Sequence, residues 1–550
     1  MTPTPTPTPT PRTDEHLADL RARWAKSRRG RQPDAVTHRA GTRTVPGYVR
    51  HWARETPDRP AFVTHGQVLD YRELDDVTDR LAGWLEDRGV RAGDRVAVHL
   101  PNSVFFAVAF LAILRLGAVH VPVNPMFKAA EVRHEVEDSG AELVLSFEPL
   151  RDVLAEALDG TAARAVLLED VWPGVMEHPP LAAPAEDLDA LAALNYTGGT
   201  TGLPKGVEHT QRHMVYTATA IQNGLPGAED GIVSLCYLPV FWIAGENLGL
   251  LAPLVSGGTS VLLTRWDPAA VLDAVETHRV TTMAGTVENY LELLDHPDFS
   301  RSDLSSLTAP LAVSFIRKLT PEVRERWRQA TGGILREASY GMTETHTSDT
   351  NTLGFQDGDH DLLGDPVFCG LPVPGTEFMV VDFTTGEPLP LGEPGEIVVR
   401  GPSVLTRYWR APEATTRALR DGWLHTGDIG SLDEDGCLRY LGRNKDMIKV
   451  KGMSVFPTEV ETLLGRHPEV LAAAVVAVAD EHSGQLPYAF VRTAPGSGLT
   501  ADELRGWAKG AMATYKVPLV EIVAELPLTP TGKIRKTELS ARASRTRPAP

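Results

Sequence analysis

Cysteine is scarce. Cys236, Cys369 and Cys437 are the only three in 550 residues, and none has the close spacing of a zinc site or a disulfide framework. A reducing, cytoplasmic setting is the expectation. Long apolar runs are also missing: the longest, VFFAVAFLAIL at residues 104–114, falls short of the roughly 20 residues that a membrane-spanning helix needs. It reads as a buried helix, so no membrane span is expected. Positive charge is in deficit, with 54 Lys and Arg against 72 Asp and Glu and a formal net charge of -18. Nucleic acid is thereby disfavoured as a partner, because neutralising phosphates requires a basic face. The opening MTPTPTPTPTPR lacks a basic segment followed by an apolar one and is not a secretory signal. Its Thr-Pro alternation predicts an extended, disordered tail. A polar lead carrying a short helix near residues 14–26 continues it to residue 40.

What is present is the composition of an ordinary globular protein, 42% hydrophobic and 23% charged, in a chain long enough for two or more domains. From residue 41 short apolar strands alternate with amphipathic helices. Residues 95–100 (RVAVHL), 118–123 and 142–146 read as strands, and 103–116 and 129–139 as helices. This rhythm predicts an α/β fold with mostly parallel sheets and flanking helices. Over residues 365–440, strands separated by Gly and Pro turns predict a β-rich subdomain. After residue 443 the chain is long enough for a compact C-terminal domain, with a helix at 457–466, a strand at 471–478 and a helix at 501–513.

The chemistry begins at residues 196–206, YTGGTTGLPKG. A strand-like segment runs into a loop where Gly198, Gly199 and Gly202 permit positive φ and a close backbone approach to an anion. Thr197, Thr200 and Thr201 add hydroxyl donors, and Lys205 adds a point charge. By its residues alone the loop fits a phosphate cradle and an ordinary Gly-rich turn equally. It is not a Walker loop: Leu203 and Pro204 intervene before the lysine, and Gly206 stands where a magnesium-binding Ser or Thr would follow.

The string closely resembles the signature of the adenylate-forming (ANL) superfamily, which includes acyl-CoA synthetases, peptide-synthetase adenylation domains and luciferases. Further strings follow in that family's order: YGMTE at 340–344, WLHTGD at 423–428, GRNKDMIKVKG at 442–452 and PTGK at 530–533. The resemblance implies a large N-terminal domain of two mixed, mostly parallel sheets plus a β-rich subdomain (41–443) and a small mobile α+β C-terminal domain (444–550). It further implies ATP, Mg²⁺ and coenzyme A as cofactors. The loop from Thr197 to Lys205 would then enclose the β- and γ-phosphates, Tyr340 stack on adenine, and Thr343 and Glu344 serve the α-phosphate and the Mg²⁺. Asp428 and Arg443 would hold the ribose. Lys533 would bridge the substrate carboxylate and ATP, where negative charge gathers. Lys445 would be the hinge of a domain swing, after which Lys449 and the backbone near Gly452 line the thiol channel.

Two stretches depart from the family pattern. Where small residues usually make room for adenine and the acyl group, DLSSLTAPLAVSFIRKLTPEV places Phe315, Arg317 and Lys318. These side chains either narrow the acyl pocket and offer it a cation, or face solvent at a helix start. In LPVFWIAG, Trp242 stands where relatives often carry His; it favours flat or short substrates if it points inward, and is core packing if it does not. The leading expectation is an acyl-CoA ligase acting on a small-molecule acid. Loading of a separate carrier protein stays open, as does ATP-dependent activation of nitrite for diazotisation of an aryl amine.

Overall fold

The computed structural model describes residues 11–64, 66–197, 203–228, 231–314, 317–362, 367–529 and 533–546. Among these residues four sheets form. The first runs, in spatial order, Arg164–Leu167, Leu143–Ser146, Arg95–Val98, Val119–Pro122, Leu191–Thr197 and Lys205–Thr210. Its strands are parallel except for the last pair, an antiparallel hairpin. The second runs Arg336–Glu337, Ala309–Val313, Thr282–Thr286, Val233–Cys236, Thr259–Leu262, Pro60–Thr64 and Gln67–Asp70, with only the final pair antiparallel. Two mostly parallel sheets with helices against them are the expected architecture.

The apolar run is a helix, Val104–Arg115, started by Ser103, whose side chain accepts from the Phe106 N–H at 3.2 Å. Every residue from Phe106 to Arg115 is buried, which a helix hydrophobic on all sides requires. Its last residue, Arg115, is fully buried and lies 2.7 Å from both Asp75 and Asp79. A cation removed from water at that depth needs such partners.

The third sheet, over residues 350–443, is antiparallel and includes Val367–Pro372, Glu377–Val381, Gly395–Arg400, Trp423–Leu432 and Leu438–Arg443. The C-terminal domain builds its own sheet around the long pair Val470–Asp480 and Gly484–Thr493. Its flanking helices are Pro457–Leu464, Ala501–Ala511 and Lys536–Thr546.

The polar lead departs from expectation. It forms a longer helix, Pro11–Arg28, that buries Leu17, Leu20 and Trp24 against the β-rich subdomain. Those three positions share one helical face, and composition alone hid a stripe that narrow. The polar residues around it also have partners. Trp24 donates to the Gly436 carbonyl at 2.9 Å, Arg28 to Pro372 at 2.6 Å, and Gln32 to Asn351 and Leu353 at 2.8 and 3.0 Å. The folded body therefore starts well before residue 41. The Thr-Pro repeat at 1–10 lies outside the described residues.

Candidate active site

The hairpin that carries the Gly-rich loop brings Thr197 opposite Lys205. Gly198, Gly199, Thr200, Thr201 and Gly202 lie outside the described residues. Both flanks of the loop are tied to the helix Ala129–Ser139. Tyr196 donates its hydroxyl to Asp138 at 2.6 Å, and Nε2 of His134 lies 3.0 Å from the Pro204 carbonyl oxygen. Burial, reinforced by Asp138, pushes the Tyr196 phenol well above its usual range. The exposed Lys205 has its ammonium 5.5 Å from the centroid of the Tyr408 ring, within cation–π reach. Tyr408 in turn donates to Oε1 of Glu344 at 2.9 Å. One tyrosine thus couples the loop lysine to the acidic motif.

Glu344 sits on a single helical turn, Thr343–Thr345. His346, Thr347 and Ser348 follow with φ of 58°, 63° and 61°. Three successive non-glycine residues in the left-handed region are strained. The chain there folds back so tightly that a Cβ on Gly341 would meet the Ser348 nitrogen at 2.3 Å. The turn rests on a buried polar floor. Nε2 of His209 lies 2.8 Å from the Thr343 carbonyl oxygen. Burial, then His346 and His213, hold the His209 pKa well below 6.5, so the ring is neutral and Nε2 carries the hydrogen it donates. Under it, His346 and Glu246 are fully buried with Nε2 and Oε1 3.4 Å apart. Asn195 donates to Glu246 at 3.1 Å, and Asn247 donates to the His346 carbonyl at 3.0 Å.

Asp428 and Arg443 are cross-strand partners in the β-rich subdomain. Arg443 Nε lies 3.4 Å from Oδ1 of Asp428, and the Tyr340 hydroxyl donates to Oδ2 at 2.8 Å. Burial raises the pKa of Asp428, while Arg443 and the Tyr340 hydrogen bond oppose the rise. Tyr340 and Tyr440 rings lie with centroids 6.0 Å apart, so the pair has an aromatic wall beside it.

The C-terminal domain delivers Lys533 to this group. Its loop closes through two bonds between Thr529 and Lys533, at 2.7 and 3.0 Å; residues 530–532 are outside the described set. The Lys533 ammonium lies 5.4 Å from the centroid of the Trp242 ring. Burial and then Arg443 lower its pKa from 10.5, and Asp428 opposes them. Lys445 is exposed on the turn Asn444–Asp446, between the last strand of the subdomain and the first of the C-terminal domain. Lys449 is not gathered with Lys533. It is exposed on the hairpin Ile448–Val450 and Met453–Val455, and its ammonium donates to Ser454 at 2.7 Å. Gly452, with φ 83°, makes the exposed turn of that hairpin.

The family model of AMP-binding enzymes matches residues 49–409, and that of the AMP-binding enzyme C-terminal domain matches 459–533. This chain belongs to the AMP-binding enzyme family. It is 35% identical over 494 residues to feruloyl-CoA synthase of an Amycolatopsis species, spanning 89% of this chain and 97% of that one. A long-chain-fatty-acid–CoA ligase of Escherichia coli O6:H1 is 33% identical over 526 residues, spanning 88% and 91%. Among solved structures, ATP-bound MatB from Rhodopseudomonas palustris superposes with a TM-score of 0.81 at 28% identity, covering 90% of this chain and 99% of that one.

In this AMP-binding enzyme the divergent stretch does not face solvent at a helix start, one of the two sequence expectations. Phe315 lies outside the described residues. Arg317 and Lys318 are half-buried and precede the helix Pro321–Thr331, whose cap is Thr320, so neither sits in its first turn. Lys318 donates to the Ser314 carbonyl at 3.2 Å, and Ser314 binds the half-buried Glu337 through its N–H at 3.0 Å and its hydroxyl at 2.6 Å. Burial raises the Glu337 pKa; Ser314 and then Lys318 pull it down. The Arg317 N–H donates to Glu288 at 3.1 Å. Residue reading passed over Tyr408, His209 and the Glu246–His346 floor, because no local pattern marks residues whose partners are distant in the chain.

Proposed function

We propose that this AMP-forming acyl-CoA ligase activates a flat aromatic acid, with the roles of its site residues as follows. The observation carrying the reading is that Glu344, the Asp428–Arg443 pair and Lys533 converge from three separate segments on one site. The family uses ATP, Mg²⁺ and CoA. A carboxylate oxygen of the acid attacks the α-phosphorus; the bond to pyrophosphate breaks and acyl-AMP forms. The CoA sulfur then attacks the acyl carbonyl, and AMP leaves.

Lys205 and the loop neutralise the departing pyrophosphate. Asp428 accepts from the ribose hydroxyls, which orients the nucleotide for in-line attack. The Lys533 ammonium stabilises charge shared between the incoming carboxylate and the phosphate. Tyr408 donates to one oxygen of Glu344, and the Glu344 carboxylate would hold the Mg²⁺, a hard cation that prefers oxygen ligands. The cation supplies charge neutralisation at the phosphates. For the second step Lys445 serves as hinge, and the hairpin of Lys449 and Gly452 replaces Lys533.

The Trp242 ring beside Lys533 supports a flat acid, as does the similarity to a feruloyl-CoA synthase. Nitrite activation and carrier-protein loading are not favoured. Of the two cations that motivated nitrite, Arg317 and Lys318, the second is engaged with Ser314 beside Glu337. AMP release from ATP, Mg²⁺ and CoA with a panel of aromatic, cycloaliphatic and fatty acids tests the proposal. Faster turnover of fatty than aromatic acids would overturn the choice of acid.

A further inference from the structure

Trp242 is mounted on a rigid turn. Its N–H donates to the Pro239 carbonyl at 3.0 Å, and its carbonyl accepts from the Glu246 N–H at 2.9 Å. Gly245 closes the turn so tightly that a Cβ there would meet the Pro239 oxygen at 2.0 Å. The next residue, Glu246, is anchored by Asn195 in the buried floor. Lys533, by contrast, belongs to the other domain, ahead of its last helix, Lys536–Thr546. The ring is therefore held by its own turn, and the ammonium is brought to it by the other domain.

The environment explains why an aromatic face suits this position. Arg443 repels the ammonium, and the nearby carboxylate of Asp428 is already held by Arg443 and Tyr340. A second carboxylate at position 242 would neutralise the lysine and repel the anionic acid and phosphates. An indole face attracts a cation through its quadrupole without adding negative charge.

We propose that Trp242 is the docking face for Lys533, positioning its ammonium for acyl-adenylate formation and holding the C-terminal domain in the arrangement seen here. Trp242 is on this account a positioning residue, and the inference rests on the adenylation role given to Lys533 above.

The test is a double-mutant cycle on acid-dependent ATP–pyrophosphate exchange, with Trp242→Leu and Trp242→Phe each made alone and with Lys533→Ala. Trp242→Leu is expected to lower kcat for exchange about tenfold, with a smaller change in KM for the acid and a smaller loss for Phe. In the Lys533→Ala background the same change should cost less than about twofold. The cycle is repeated on trypsin cleavage at the hinge of the ligand-free protein. There each single variant should speed cleavage, and the double variant should add nothing. Equal effects of Trp242→Leu in both backgrounds would show that Trp242 acts independently of Lys533 and overturn the proposal, as would an unchanged kcat. If Leu does not fold, the Phe variant is read by the same criteria. Absence of acid-dependent exchange in the wild type would instead refute the adenylation reading itself.

Discussion

The Tyr408 hydroxyl donates to Oε1 of Glu344 at 2.9 Å while the face of the same ring lies 5.5 Å from the Lys205 ammonium. A hydrogen bond to a charged acceptor contributes roughly 1.5–3 kcal/mol. Tyr408→Phe removes that bond and keeps the ring. It is expected to reduce kcat/KM for MgATP about tenfold and to shift the Mg²⁺ dependence of exchange, leaving the cation–π contact to Lys205 intact. Unchanged Mg²⁺ dependence would show that Tyr408 does not orient Glu344.

Asp428 carries a pH signature. Burial raises its folded pKa above the ordinary 3.8. The ionised form is thus the less stable one in the fold. The group's favourable contribution is fully present below the unfolded value and is lost as pH rises through the folded one. Ribose binding needs the ionised form. Activity should therefore fall on acidification at a pH above the ordinary carboxylate range. Asp428→Asn should raise KM for ATP at least about tenfold and abolish that acid limb in a kcat/KM profile.

The two lysines of the C-terminal domain should separate the half-reactions. Lys533→Ala is expected to slow exchange by about 10²–10³, the effect of removing one electrostatic stabiliser, while thiolysis of supplied acyl-AMP is much less affected. Lys449→Ala should show the reverse pattern. Equal losses in both assays for either variant would refute the exchange of lysines between steps.

Trp24 is 4% exposed and donates to Gly436 in the turn joining the strands of Asp428 and Arg443. Trp24→Ala should destabilise by about 3 kcal/mol, seen as a lower urea midpoint. It should also weaken ATP binding by loosening that hairpin. A variant with wild-type stability would mean the N-terminal helix is not an integral part of the subdomain.

Much of the architecture was legible because its signals are local. The helix 129–139 was expected and appears as Ala129–Ser139; the strand expected at 142–146 appears as Leu143–Ser146. The Pro11–Arg28 helix was underestimated because its buried stripe of Leu17, Leu20 and Trp24 is spread among charged residues. Lys318 was ambiguous for a different reason. Its neighbours in space include Glu337, which no spacing rule connects to it.

The sequence by itself determined the adenylating family, the α/β order of elements and the identity of the ionic side chains, because backbone propensities and contiguous motifs are written within short windows. Only the tertiary structure decided which charges meet: Tyr408 with Glu344, neutral His209 under Thr343, and Lys533 over Trp242. The physical reason is range. Burial and proximity set hydrogen-bond partners and protonation states, and both come from segments 64 to 291 residues apart that fold into one site.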